Sequence, residues 1–117
     1  MAKGSSSQQP SDVLIIQRVK SIAKDSGRII PSPKHAKQRM KQRSIPWVQV
    51  VRILSGNFLI HEAPHKDARG DWRLTVEGKD LDSNTGGYIR VGVALKQDNR
   101  GEYLLVLTVI RPSIRRK

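Results

Sequence analysis

The chain contains no cysteine, and its aromatic residues make up only 4% of the sequence. Without cysteine it can form no disulfide and no thiolate metal site. The scarcity of aromatic residues argues against a base-stacking platform of the RRM or OB type. No apolar run is long enough to span a bilayer, and Met1–Pro10 lack the apolar core of a secretory signal. We therefore expect a cytoplasmic protein that has no membrane contact and needs neither a metal nor another cofactor.

Cations are abundant and unevenly distributed, with a formal net charge of +12 at neutral pH. Residues 13–52 carry ten Lys or Arg against one acid, whereas residues 62–102 carry seven against eight. Residues 111–117 add four cations and no acid. Lysine alone can keep a small domain dissolved. Segregation of the charge instead favours a polyanionic partner, either a nucleic acid or an acidic protein.

The length of 117 residues allows one hydrophobic core. The pattern predicts a single α+β domain over 11–112, a flexible polar tail at 1–10 and a basic tail at 113–117. Apolar residues at helical spacing predict three helices in the first half of the chain. Their expected ranges are 12–26, 33–43 and 46–56.

From residue 58 the hydrophobic period changes to two, which is typical of strands. Ile29 and Ile30 form only a short extended piece, so the predicted sheet has four strands and is mainly antiparallel, with the N-terminal helices packed on it. The last strand is apolar on both faces, which favours a central position covered on both sides. The predicted strands are 58–62, 71–78, 88–96 and 102–111.

The segment from Lys34 to Arg43 holds five cations, one histidine and no acid. At 100° per residue, His35, Arg39, Gln42 and Arg43 fall within a helical sector of roughly 100°, and the first, second and fourth of them carry a basic group. An imidazole can act as the base or the acid in RNA cleavage, and guanidinium groups can bind the phosphate. These three residues are therefore the predicted catalytic set. The alternative is a histidine that caps or packs near the helix start, beside arginines on a solvated face.

Further phosphate-binding residues are expected around this row. Lys34 and Lys37 lie on the same helix, and Arg73 faces outward on its strand. Thr108 and Arg111 lie at the end of the last strand, which can approach the helix. The Thr108 hydroxyl can either donate to a phosphate or form a local hydrogen bond, and the sequence leaves both open.

The segment His61–His65 matches the zinc-protease pattern His-Glu-x-x-His. That pattern binds zinc only on a helix, where both histidines share a face. Pro64 would break such a helix, and the flanking residues are typical of a strand and a loop. We therefore interpret this segment as a strand end without a metal.

The motif His-Ala-x-x-Arg-Met-x-x-Arg-x-Ile, followed by a short helix, a sheet and a terminal Arg-Pro, resembles a bacterial family of small basic domains of unassigned function. The resemblance covers 33–112 and extends to the RelE-like toxins of the barnase/RelE-type nuclease fold. The residues that carry it are His35, Ala36, Arg39, Met40, Arg43, Ile45, Gly56, Thr108, Arg111 and Pro112.

The resemblance implies a metal-independent endoribonuclease, the toxin of a toxin–antitoxin pair, which cleaves RNA by attack of a 2′-hydroxyl on phosphate. It implies His35 as the leading active-site residue, with Arg39 and Arg43 beside it. The expected partners are RNA, free or on the ribosome, and an acidic antitoxin protein. The alternative is a basic module that binds nucleic acid or a protein partner without catalysis; the sequence leaves its oligomeric state open.

Overall fold

The structure is a computed structural model that describes residues 10–81 and 87–112. The predicted tails at 1–9 and 113–117, and residues 82–86 of the predicted hairpin loop, lie outside the described residues. The elements, in chain order, are α1 (Pro10–Ala23), a 3₁₀ turn (Ser26–Arg28), β1 (Ile29–Pro31), α2 (Ala36–Arg43), α3 (Trp47–Ser55), β2 (Leu59–Lys66), β3 (Trp72–Lys79), β4 (Tyr88–Asp98) and β5 (Gly101–Ile110).

The class is α+β, as predicted, but the sheet has five strands in the order β1-β5-β4-β3-β2. The additional strand is β1, whose residues Ile29–Pro31 pair in parallel with Leu104–Val106 of β5. The other neighbouring strands are antiparallel. The prediction of four strands was wrong because β1 is too short to show a period of its own.

One face of the sheet packs against all three helices. The core joins Val19 of α1, Met40 of α2 and Leu54 of α3 to alternate residues of the strands. On β4 these are the four residues predicted to point inward, Ile89, Val91, Val93 and Leu95. The opposite face carries the remaining residues of each alternation, and no helix among the described residues covers it. We call it the open face.

The prediction that β5 is covered on both faces was therefore wrong. Leu104, Val106 and Val109 are buried, whereas Thr108 and Ile110 are exposed on the open face. Apolar residues on the second face of a strand do not by themselves require a covering layer.

Three helix boundaries differ from the prediction by two residues or more. Helix α1 begins at Pro10 rather than at residue 12. Helix α1 ends at Ala23, because the Asp25 carboxylate accepts the Gly27 N–H (2.9 Å) and begins a separate 3₁₀ turn. Helix α2 starts at Ala36, and His35 is its N-terminal flanking residue. The end of α3 before Gly56 is as predicted.

Helix α2 lies along the free half of the β5 edge. Strand β1 pairs with β5 only as far as Val106, whose carbonyl also accepts the Ser32 N–H (2.9 Å). At the other end of α2, Arg43 Nη1 donates to the Val109 carbonyl (3.2 Å). Eight helical residues span about 12 Å, close to the rise of three strand residues. The helix therefore borders the stretch of β5 that contains Thr108.

None of the helices in the described part of the chain is long and apolar enough to cross a membrane.

Candidate functional site on the open face of the sheet

His35, the predicted catalytic histidine, precedes α2 and is accessible to solvent. His35 is exposed and its side chain makes no capping hydrogen bond. It lines an open cleft with Lys34, Lys37 and Lys41, and no acidic residue contributes to the lining. We call this the α2 cleft. Its chemistry is suited to binding an anion.

The arginines predicted beside His35 do not line the α2 cleft. Arg39 is exposed. Arg43 is half-buried, and its guanidinium donates a hydrogen bond to the Val109 carbonyl. Arg43 also accepts, through its own carbonyl, a hydrogen bond from Arg111 Nη1 (2.7 Å). The structure thus groups His35 with lysines, and Arg43 with Arg111.

Arg111 has a structural partner as well. Its Nε donates to Asp80 Oδ2 (2.6 Å), and that carboxylate is 1% exposed. A buried carboxylate requires a partner of opposite charge or several donors. Arg111 therefore links the end of β5 to the C-terminus of α2 and to the residue that follows β3.

A second group of chemically active side chains lies on the open face. Thr108, Gly92, Thr75 and Glu62 are successive cross-strand partners, so they form one row across β5, β4, β3 and β2. A second row, two strand residues or roughly 7 Å away, contains His65, Arg73 and Ala94.

The two rows surround a concavity of about 280 Å³, which we call the sheet-face groove. Its polar lining residues are Glu62, His65, Arg73, Thr75 and Thr108.

The small residues of β4 form the depression between these side chains. A Cβ atom on Gly92 would collide with the Thr108 hydroxyl and would lie 3.6 Å from the Thr75 hydroxyl. The next residue of β4 on this face is Ala94. Because β4 carries no large side chain here, the side chains of β3 and β5 border an open depression.

Irregular pairing of β2 places Glu62 and His65 on the same face. In a regular strand, residues three apart point to opposite faces. Here Glu62 pairs with Thr75 and His65 with Arg73, so three residues of β2 match two of β3. The register shift contains Pro64, which an edge strand tolerates. A β-bulge of this kind redirects side chains.

Two hydrogen bonds orient the acid–base candidates. The Thr75 hydroxyl donates to Glu62 Oε1 (3.1 Å). His65 Nδ1 lies 3.1 Å from the Ala63 carbonyl. A carbonyl only accepts, so Nδ1 carries the hydrogen of the neutral ring and Nε2 holds the lone pair. Both Glu62 and His65 are exposed and accessible to a ligand.

The sequence predicted some of these residues and missed others. Arg73 and Thr108 were expected to bind phosphate, and both line the groove. Glu62 and His65 were considered only as parts of a zinc motif. They lie on β2 rather than on a helix, and the described residues contain no group of three His, Cys, Asp or Glu side chains that could hold a metal. Only the register of β2 brings these two residues together with Arg73.

Comparison with known proteins gives one finding. A family model described as a domain of unknown function (DUF4258) matches residues 33–111. Searches of curated proteins and of solved structures found no match. The matched segment begins just before α2 and ends just after β5, so it includes the α2 cleft, the sheet-face groove and four of the five strands. Because the match covers more than half of the chain, the protein belongs to the DUF4258 family.

Proposed function

We propose that this protein is a metal-independent endoribonuclease and that its acid–base groups lie in the sheet-face groove. One observation carries the proposal: a carboxylate, an imidazole and a guanidinium occupy adjacent positions of two cross-strand rows around one depression. RNA carries its own nucleophile, the 2′-hydroxyl, so cleavage needs a base, an acid and a cation. The groove contains one of each.

In the proposed reaction, the Glu62 carboxylate removes the proton of the 2′-hydroxyl. The 2′-oxygen forms a bond to phosphorus while the bond from phosphorus to the 5′-oxygen breaks. Protonated His65 donates the proton at Nε2 to the departing 5′-oxygen. Arg73 stabilises the charge that develops on the phosphoryl oxygens. The products are a 2′,3′-cyclic phosphate and a 5′-hydroxyl end.

The α2 cleft serves substrate binding in this proposal. Its lysines and His35 attract the RNA backbone, and α2 borders the part of β5 that contains Thr108. An RNA strand that binds at α2 can therefore continue into the sheet-face groove. The proposal moves the catalytic role from His35, Arg39 and Arg43 to Glu62, His65 and Arg73. It retains phosphate binding by Lys34, Lys37 and Thr108 and gives Arg111 a structural role.

The resemblance to RelE-like toxins supports the same class of reaction, and a toxin of this kind would act in the cytoplasm, on free or ribosome-bound RNA. An acidic antitoxin protein is the proposed protein partner. The support for it is the segregated charge of residues 13–52, which favours any acidic surface.

A second candidate function is nucleic-acid binding without cleavage. The α2 cleft favours it, because three lysines and one histidine surround an open surface without an acid. This function requires nothing from Glu62 or His65.

The test uses purified full-length chain and a short RNA in the presence of EDTA. The control substrate carries a single 2′-deoxynucleotide at the mapped cleavage position. We expect cleavage with a cyclic phosphate end, no cleavage at the deoxy position, and loss of activity in His65→Ala.

RNA binding without any cleavage would reject the proposal in favour of the second candidate. Cleavage at the deoxy position, or activity that needs an added metal, would reject the mechanism.

A further inference from the structure

Arg73 is held at only one corner of its guanidinium group. Its Nε donates to Asp67 Oδ2 (2.8 Å), while the side chain is 46% exposed and lines the sheet-face groove. Within residues 10–81 and 87–112, the two Nη groups have no hydrogen-bond partner. Two parallel N–H donors on one edge of a guanidinium match two oxygens of a phosphate. The contact at Nε therefore leaves the Nη edge available to such a ligand.

Asp67 is itself fixed by the loop that joins β2 to β3. Its Oδ1 accepts the backbone N–H groups of Arg69 (2.9 Å) and Asp71 (3.0 Å). The loop is closed by two backbone bonds, Asp67 N–H to Asp71 O (2.9 Å) and Gly70 N–H to Asp67 O (3.0 Å). Gly70 adopts φ 86°, which favours glycine. The carboxylate thus has one oxygen committed to the loop and the other to Arg73.

The backbone N–H of Asp71, that of Arg69 and the Arg73 side chain hold the pKa of Asp67 below its ordinary value. The carboxylate therefore remains ionised throughout the neutral range, as a charge-assisted bond to Arg73 requires.

From this arrangement we infer that Asp67 is a positioning residue, which orients the Nη edge of Arg73 toward the scissile phosphate of RNA in the groove. The inference rests on the proposed function, because it assigns Arg73 a phosphate to bind. A negative charge beside the groove repels a polyanion, so Asp67 weakens RNA binding while it improves the geometry of catalysis. Its removal should change binding and cleavage in opposite directions.

The variant Asp67→Asn isolates this effect. The asparagine oxygen can still accept the two loop N–H groups at the Oδ1 position, so the loop is retained. The amide NH₂ then faces Arg73 Nε, and two donors cannot bond. We expect kcat to fall by about 10- to 100-fold, and RNA affinity at low salt to rise slightly.

A matched control is Asp71→Asn. Asp71 lies in the same loop, and the substitution changes the net charge equally. Its carboxylate, however, pairs with Lys96 Nζ (2.7 Å) rather than with Arg73. We expect the same small rise in RNA affinity and an unchanged kcat. Arg73→Lys keeps the charge but lacks the planar pair of donors, and it should lose as much activity as Asp67→Asn.

An NMR measurement tests the inference independently of activity. In the wild type, the Arg73 Nε–H signal should exchange slowly with water, and a dinucleotide with a 2′-deoxy group at the cleavage position should shift it. In Asp67→Asn the exchange should become fast. Equal exchange rates, an unshifted Arg73 signal, or equal kcat losses in Asp67→Asn and Asp71→Asn would overturn the inference. Wild-type protein that shows the NMR result but cleaves no RNA would reject the proposed reaction alone.

Discussion

The α2 cleft and the sheet-face groove present different chemistry in one small domain. The cleft is built from a single short stretch of chain and offers three lysines, one histidine and no acid. The groove is built from four strands and combines a carboxylate, an imidazole, a guanidinium and two hydroxyls. The cleft can hold a polyanion, but within the described residues His35 has no carboxylate beside it that could serve as the second acid–base group of RNA cleavage. We therefore propose that RNA binding and bond cleavage are divided between the two regions.

The two regions are also held in place differently. Helix α2 is attached to β5 by hydrogen bonds of two arginines. Arg43 donates to the Val109 carbonyl, and Arg111 donates to the Arg43 carbonyl and to the buried Asp80 carboxylate. The groove is part of the sheet itself, and its side chains are positioned by register, by a bulge and by Asp67. Substitutions at α2 and its attachment should therefore affect stability or RNA affinity, whereas substitutions in the sheet-face groove should affect catalysis.

The largest expected effect is on catalysis. Glu62→Gln keeps the shape of the side chain and its acceptor for Thr75, but removes the base. We expect kcat to fall by about 10²- to 10⁴-fold with an unchanged melting temperature. The control is Gln38→Ala in the α2 cleft, which should retain wild-type kcat. Steady-state kinetics on a fluorescent RNA give both values, and a fall of less than threefold for Glu62→Gln would contradict the division of roles.

The next effect is on stability. Arg111→Ala leaves the buried Asp80 carboxylate without its guanidinium and removes one of the two hydrogen bonds that join the C-terminus of α2 to the end of β5. Because Arg111 is partly exposed, we expect a loss of about 2–3 kcal/mol, below the range for fully buried pairs. Urea denaturation measures it, and Arg39→Ala on the exposed face of α2 is the control, with a change within about 0.5 kcal/mol. Similar values for the two variants would show that Arg111 does not anchor α2.

A smaller effect concerns affinity. Lys34→Ala and Lys37→Ala each remove one cation from the α2 cleft. Each should lower the slope of log Kd against log salt by about 0.7 for single-stranded RNA, and the two changes should add. Lys79→Ala, an exposed lysine at the far end of β3, is the control. Fluorescence anisotropy over a salt series measures Kd, and unchanged slopes in both variants would show that α2 does not contact the RNA backbone.

The smallest effect is the acid dependence of stability. The backbone N–H groups and Arg73 lower the pKa of Asp67, and the hydrogen bond from Arg28, followed by the Arg100 N–H, lowers the pKa of Asp98. A carboxylate with a lowered folded-state pKa stabilises the fold fully above the unfolded value of about 3.9. That contribution is lost as the pH falls through the folded value.

The free energy of unfolding should therefore decrease below about pH 4. The decrease should be shallower in Asp67→Asn and in Asp98→Asn, while substitutions in the α2 cleft should not alter it. Urea titrations at several pH values measure the slope, and an unaltered slope in both carboxylate variants would count against these assignments.

The sequence predicted the helices, the existence of the four antiparallel strands and the inward residues of β4, because these follow from local periodicity. The prediction that β2 ends at residue 62 was wrong, because the strand continues through Pro64 to Lys66; an edge strand tolerates a proline. The sequence also predicted the cluster of cations at α2, because these residues lie close together in the chain. It did not assign β1 to the sheet, because these three residues show no periodicity and are a strand only through their pairing with β5. It could not find the groove, since Glu62 and His65 share a face only through the irregular register of β2, and register depends on the partner strand.

The most direct test compares the two histidines in one assay. His65→Ala and His35→Ala are assayed with the same RNA in EDTA, and kcat is measured at saturating RNA so that affinity does not contribute. We predict that kcat falls by at least about 100-fold in His65→Ala and by less than threefold in His35→Ala, in which only the Kd rises. The reverse order, with kcat lost in His35→Ala and retained in His65→Ala, would place the chemistry on α2 and contradict the account.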